Sequence, residues 1–157
     1  MSESSEHGVR EALPADAETI GRLLHDFNTE FGDTTPGPRA LAKRVRELLV
    51  SGDITVLLPQ GAPHGVAVLR FRPALWAQGL DCYLEELYVV PDRRGHGLGR
   101  SLMEAAIDLA RSKGAVRMDL GTGEEDLAAR GLYESLGFSN REREPDGPTA
   151  LFYELEL

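Results

Sequence analysis

The sequence predicts a mixed α/β (α+β) domain, on three observations. The chain has 157 residues, of which 41% are hydrophobic, and that length suits one domain. A domain of this size buries roughly 70% of the surface its unfolded chain exposes, enough for a core without metal or disulfide staples. Apolar residues alternate or run together in some segments and recur at helical spacing in others, giving the order βααβββαβαββ. Finally, a glycine-rich run links an apolar strand to the most regular helical stripe in the chain. No repeat, low-complexity stretch or linker interrupts this pattern. Residues 8–157 are therefore expected to form one domain, after a disordered tail over residues 1–7.

The elements follow in order. Gly8 to Leu13 reads as a strand that Pro14 ends. Ile20, Leu23, Leu24 and Phe27 then recur at helical spacing, with Asp16 and Glu18 where the helix dipole favours anions. The breaker-rich Gly32 to Pro38 separates this helix from a second over 39–50, which carries Leu41, Val45, Leu48 and Leu49. Strands follow at 53–58 and 65–72, around the turn Pro59 to Gly65. Residues 74–82 read as irregular, and Tyr83 to Val90 as an apolar strand that Pro91 stops. From Leu98, the residues Leu102, Ala105, Ala106, Leu109 and Ala110 form one helical stripe. Arg111 and Lys113 complement its C-terminal dipole, and Gly114 ends it. A short strand over 116–120 precedes a helix opened by Glu124, Glu125 and Asp126 and closed by Gly137. Residues 138–143 and 149–157 read as two closing strands around a Pro-Asp-Gly turn.

Composition excludes several functions. Cys82 is the single cysteine, so no internal disulfide can form and no cysteine zinc site can be built. His7, His25, His64 and His96 do not fall at metal-ligand spacing, so no metal is expected. The polar start lacks a signal-peptide core, and no apolar run reaches membrane-spanning length. A cytoplasmic protein without membrane contact is the expectation. Lys and Arg total 17 against 26 Asp and Glu, a net charge of −9. Such a chain repels phosphate overall, which argues against nucleic acid as a partner. One local basic spot, Arg93, Arg94 and Arg100, suits an anionic cofactor, while the acidic remainder suits a cationic substrate.

That spot lies in Pro91-Asp92-Arg93-Arg94-Gly95-His96-Gly97-Leu98-Gly99-Arg100. Alternate glycines let a ligand approach the backbone. The amides converge where a helix begins, a place of unpaired donors and partial positive charge. A phosphate or pyrophosphate is the natural ligand; the alternative is a turn that merely joins strand to helix. No Gly-Lys-Ser/Thr follows, so this is not a Walker A loop. The third glycine falls one position early for the dinucleotide fingerprint, and too little chain follows for a doubly wound fold.

Arg94-x-x-Gly97-x-Gly99 does not stand alone. Glu86-Leu87-Tyr88-Val89 precedes it on a strand, and Leu132-Tyr133-x-x-x-Gly137-Phe138 follows its helix. Together the three segments resemble the GNAT superfamily of acetyl-CoA-dependent N-acetyltransferases, most specifically over residues 83–138. The resemblance implies a mostly antiparallel central sheet flanked by helices and splayed at the strand that carries the cofactor. It implies acetyl-CoA as co-substrate, its pyrophosphate wrapped by Arg94 to Arg100 through the amides of Gly95, His96, Gly97, Leu98 and Gly99. The strand residues Leu87, Tyr88 and Val89 would pair with the pantetheine arm, with an amide near Val89 polarising the thioester carbonyl. Tyr133 matches the family's tyrosine near the coenzyme sulfur, often a general acid. At the position where the family often has an asparagine contacting the arm, this chain has Asp126, which can cap a helix but lacks the amide donor.

The chemistry itself requires a base. An alkyl ammonium has a pKa of about 10.4, so its nucleophilic form lies about 4–5 kcal/mol uphill at pH 7. A carboxylate that takes the proton contributes about 10²–10⁴-fold. Glu85 and Glu86 are the candidates. As neighbours on a strand they should point to opposite faces, so that one of them faces the cleft. Relatives with an acid just before the Leu-x-Val of this strand favour Glu86, and Glu85 then becomes a substrate contact. Asp119 is an outside candidate; the family's alternative glutamate position falls here on Gly121. Glu86→Gln is expected to depress activity most at low pH. Asp26 and Glu30 share a helical face that in the family walls the acceptor site. Trp76 and Phe71 are expected to pack, with lining of an acceptor pocket as the alternative, and Cys82 is expected to be a small packed hydrophobe. The expected function is transfer of an acetyl group to a small cationic primary amine in a ternary complex, by a chain expected to form homodimers. The alternatives are an idle acyl-CoA-binding or sensory module, or an acetyltransferase of protein N-termini or lysines.

Overall fold

A computed structural model of the chain describes residues 8–157, and the tail expected over residues 1–7 lies outside the described residues. The described residues divide into two compact units, one ending at Leu120 and the other spanning Gly121–Leu157. The first holds strands β1 (Val9–Glu11), β2 (Thr55–Pro59), β3 (Gly65–Pro73), β4 (Leu80–Val89) and β5 (Ala115–Leu120), with helices α1 (Ala17–Glu30), α2 (Pro38–Ser51) and α3 (Leu98–Ser112). The sheet runs β1-β2-β3-β4-β5. Its first three pairings are antiparallel, and β4 pairs with β5 in parallel. β4 begins at Leu80, before the expected Tyr83, because Leu80 to Cys82 continue the ladder with Pro73 to Phe71.

β2 and the first half of β3, Gly65 to Leu69, are buried on both faces, as strands between helices must be. On one face Val56, Leu58, Val66, Val68 and Tyr88 pack with Ile20 and Leu23 of α1 and Val45 of α2. On the other, α3 buries Leu98, Leu102, Met103, Ala106 and Ala110. Its stripe therefore includes Met103, which the spacing argument omitted. α1 and α2 cross closely at Gly21, where a Cβ would lie 2.6 Å from the Ala42 amide nitrogen. Pro38 opens α2, and Gly52 closes it at φ +80°. α1 follows a 3-10 turn, Pro14–Asp16. Asp16 accepts from the Leu13 amide at 2.8 Å and from both Arg10 guanidinium nitrogens at 2.7 and 2.9 Å. These bonds hold its carboxyl down at about 2.

The second unit contains helix α4 (Leu127–Ser135). The two closing strands expected over 138–143 and 149–157 are reduced to one bridge, Arg141 to Thr149. Pro145 and Pro148 lack the N–H a ladder needs, and Arg143 sits at φ +66°. Both features break the extended backbone the pairing requires. Beyond the bridge, Leu151, Phe152, Tyr153, Leu155 and Leu157 are exposed. Cys82 is fully buried, as expected, whereas Trp76 is 91% exposed on the β3–β4 turn rather than packed.

Candidate active site

The site begins at an irregularity in β4. Val68 pairs with Glu86, but Leu69 pairs with Leu84, so Glu85 is an extra residue in the strand. A bulge of this kind breaks the alternation of side chains and bends the strand. β5 accompanies β4 only as far as Leu84, which pairs with Leu120, the last residue of β5. Among the described residues, no strand pairs with the other edge of β4 from Glu85 to Val89. The pairing thus stops just before the segment at which the resemblance implies a splay.

The hydrogen-bond register states what the open edge offers. The Val90 amide donates to His64 O at 2.9 Å, so Val90 and, two residues back, Tyr88 face β3. In an antiparallel ladder the intervening residues turn their N–H and C=O the other way. Leu87 and Val89 therefore present donors and acceptors to the open edge, spaced as a further strand would need. An amide-bearing chain laid there would complete the ladder.

Immediately downstream, a 3-10 turn (Pro91–Arg93) leads into the glycine loop. Gly95 at φ +80° and Gly97 at φ +86° are left-handed, a conformation that costs a side-chain-bearing residue about 1–2 kcal/mol. Gly97 is the N-cap of α3, whose first intrahelical bond runs from the Ser101 amide to Gly97 O at 3.0 Å. The amides of Leu98 and Gly99 precede that bond, at the positive end of a 15-residue helix. Leu98 is buried and anchors the turn, while residues 91–97 are exposed. Arg100 lies on the first turn, 4.0 Å from Glu104. His96 turns its Nδ1 toward Arg93 O at 3.4 Å.

The two glutamates do not point to opposite faces as expected, because the bulge intervenes. Glu86 pairs with Val68, whose side chain is in the core beneath α1 and α2. Arg70, two residues along β3 on that same face, forms an ion pair with Glu85 through Nε and a 3.4 Å contact from Nη2. Both carboxylates thus lie on the α1–α2 side, in different states. Glu85 is ion-paired with Arg70. Among the described residues Glu86 has no such partner, and burial, the Glu85 charge and the Asp33 charge push its pKa up to about 7. A carboxyl poised near neutrality can accept a proton and release it. Arg70 was not anticipated; the facing antiparallel strands were readable, but the bulge that brings it to Glu85 was not.

Asp26 and Glu30 reach the same neighbourhood. Both raise the pKa of Tyr88, along with burial, which is the largest cause. The Tyr88 ring stacks on Phe27 at 4.9 Å, and its hydroxyl donates to Glu30 at 3.4 Å. Tyr88 thus offers its side chain to α1 rather than to the open edge. Arg94 is held by three acceptor atoms. Its Nη2 donates to Glu30 Oε1 and Oε2 at 3.0 and 2.9 Å, and its Nε to Val89 O at 2.9 Å.

In the second unit, Tyr133 is 8% exposed and packs edge-to-face on Phe138 at 5.9 Å. Burial, then the Asp126 charge, push its phenol up to about 12. Asp126 is the N-cap of α4 and accepts from the Ala129 amide at 3.1 Å. Its carboxylate is therefore used in capping. Asp119 lies on β5 with Arg117 at 3.4 Å.

Among the described residues, no cluster of His, Cys, Asp or Glu could hold a metal ion, and no helix is long and apolar enough to cross a membrane. The acetyltransferase (GNAT) family model matches residues 20–138. A crystal structure of a provisionally assigned acetyltransferase from Arthrobacter sp. FB24 is 46% identical over all of both chains, with a TM-score of 0.89. A mycothiol acetyltransferase from Thermobispora bispora is 46% identical over 66 residues, 40% of this chain and 22% of that protein. A thialysine N-epsilon-acetyltransferase from Bos taurus is 31% identical over 87 residues, 52% of this chain and 51% of that protein. These matches thus span about half or less of the curated relatives' length.

Proposed function

The chain belongs to the acetyltransferase (GNAT) family, and on that premise we propose that it transfers an acetyl group from acetyl-CoA to a small cationic primary amine. The observation that carries this reading is the open edge of β4 at Leu87 and Val89, ending beside the amides that open α3. Those two features suit the two chemical parts of coenzyme A. Leu87 and Val89 would pair with the amides of the pantetheine arm. The amides of Gly95 to Gly99, with Arg94 and Arg100, would hold the diphosphate. When bound, acetyl-CoA supplies an acetyl group activated as a thioester.

The residues then divide the work. Glu86, with its carboxyl near 7, accepts the ammonium proton directly or through water. An outward amide of β4, that of Val89, donates a hydrogen bond where negative charge develops on the thioester oxygen. Tyr133 holds its proton firmly at neutral pH. Full transfer from a phenol near 12 to a thiolate whose reference pKa is about 8.5 is uphill by about 5 kcal/mol. Tyr133 therefore acts mainly as a hydrogen-bond donor to the departing sulfur. Asp126 supports α4 as its cap and makes no cofactor contact in this reading.

The acidic surroundings support a cationic acceptor. Glu85 and Asp33 act electrostatically on Glu86, and Glu30 and Asp26 on Tyr88. A carboxylate ring of this kind attracts an ammonium group and orients it towards the base. One relative is named for the N-epsilon position of thialysine, which is consistent with an amine acceptor here. The test is a panel of amines, with release of free coenzyme A as the signal. Turnover confined to polyamines, aminoglycosides or basic amino acids supports the reading. Coenzyme A binding with no turnover on any amine would favour an acyl-CoA-binding module instead.

A further inference from the structure

Arg94 and Glu30 were assigned above to different ligands, the diphosphate and the cationic acceptor. In the structure they are bound to each other. The pair joins residues 64 positions apart, one at the C-terminal end of α1 and one in the glycine loop. Arg94 is also engaged at Val89 O, an acceptor on the open edge of β4. One guanidinium thus occupies two groups that the proposed reaction needs, the Glu30 carboxylate and the Val89 carbonyl, and commits its own charge in doing so.

We propose that Arg94 is a latch that masks the acceptor carboxylate until the cofactor binds, an inference that rests on the function proposed above. A diphosphate carries more charge than Glu30 and accepts from Arg94 with the same donors. Exchange of Arg94 from Glu30 to the diphosphate frees Val89 O for the arm. It also leaves Glu30 with Tyr88 and Asp26 as an uncompensated anionic pair facing the acceptor. Tyr88, stacked on Phe27, keeps Glu30 in place when Arg94 leaves. Because coupling between sites is reciprocal, a carboxylate that competes for Arg94 must weaken cofactor binding in the free protein. The side chains of Arg94 and Glu30 are 43% and 29% exposed, so the competition is moderate, about two- to fivefold in affinity.

The test is calorimetric titration of the whole chain with coenzyme A, comparing wild type, Glu30→Gln and Asp26→Asn. Glu30→Gln should tighten coenzyme A about two- to fivefold. Asp26→Asn removes the same charge one turn away without touching Arg94, and should change the affinity less than twofold. A crystal structure of the wild-type complex should show Arg94 on the diphosphate and Glu30 beyond hydrogen-bond distance from it. Unchanged or weaker binding by Glu30→Gln, or an intact Glu30–Arg94 pair in the complex, would overturn the latch while leaving the cofactor reading in place. Failure of wild type and both variants to bind coenzyme A would overturn the cofactor reading itself.

Discussion

At the scale of single residues, Glu86 carries the sharpest consequences. Its raised pKa reverses the pH dependence expected from the amine alone. Below about 7 the carboxyl is already protonated and cannot serve as base, so Glu86→Gln loses little there. The rate deficit should open as pH rises through 7 and close again near 10, where the amine deprotonates unaided. Rate profiles of the two proteins would show this, and a deficit greatest at low pH would exclude Glu86 as base. The same shift bears on stability. A carboxyl whose folded pKa lies above its unfolded value, 4.5 moving to about 7, destabilises the fold as pH rises through that interval. Glu86→Gln should therefore raise unfolding stability at pH 8 by about 2 kcal/mol, and have little effect at pH 4. In the proposed reaction Tyr133→Phe removes the donor to the departing sulfur, and should lower turnover about tenfold or more with coenzyme A affinity nearly unchanged. Undiminished turnover would remove Tyr133 from the chemistry.

At the scale of elements, the junctions matter more than the interiors. Gly97 sits left-handed where the loop becomes α3, and a β-branched side chain there is strained. Gly97→Val should weaken coenzyme A binding about tenfold or more and shift the thermal midpoint by only a few degrees; an unchanged dissociation constant would refute the loop assignment. At the start of α1, Asp16 holds Arg10 and the Leu13 amide. Its lowered pKa means that this stabilisation is full above about 4 and lost as pH falls through about 2. Asp16→Asn should cost about 1–2 kcal/mol at pH 7 in denaturant unfolding.

Legibility in the sequence also divides by element. The amphipathic spacing of α1, α2 and α3 placed them within a residue or two, because a helix of that length carries its own pattern. The strand before the loop was visible in its apolar run. Its bulge was not, since nothing in Leu84-Glu85-Glu86-Leu87 distinguishes regular alternation from an inserted residue. The closing strands failed for the opposite reason. Tyr153, Leu155 and Leu157 alternate well, but alternation supplies no pairing partner. The Arg94–Glu30 pair was invisible because each residue had its own plausible ligand and 64 residues separate them.

At the scale of the whole molecule, a net charge of −9 favours cations and disfavours anions, so in the proposed reaction the acceptor is drawn in and the glycine loop holds the cofactor locally. Apparent affinity for a cationic acceptor should fall as salt rises towards 1 M, where the Debye length is about 3 Å. That trend is measured as a rising KM. The central claim is that coenzyme A completes the β4 ladder and caps α3. It is tested most directly by residue-resolved amide hydrogen exchange with and without coenzyme A. The account predicts new protection at Leu87, Val89 and Gly97 to Gly99. Coenzyme A binding with those amides exchanging as fast as before, and protection elsewhere, would contradict it.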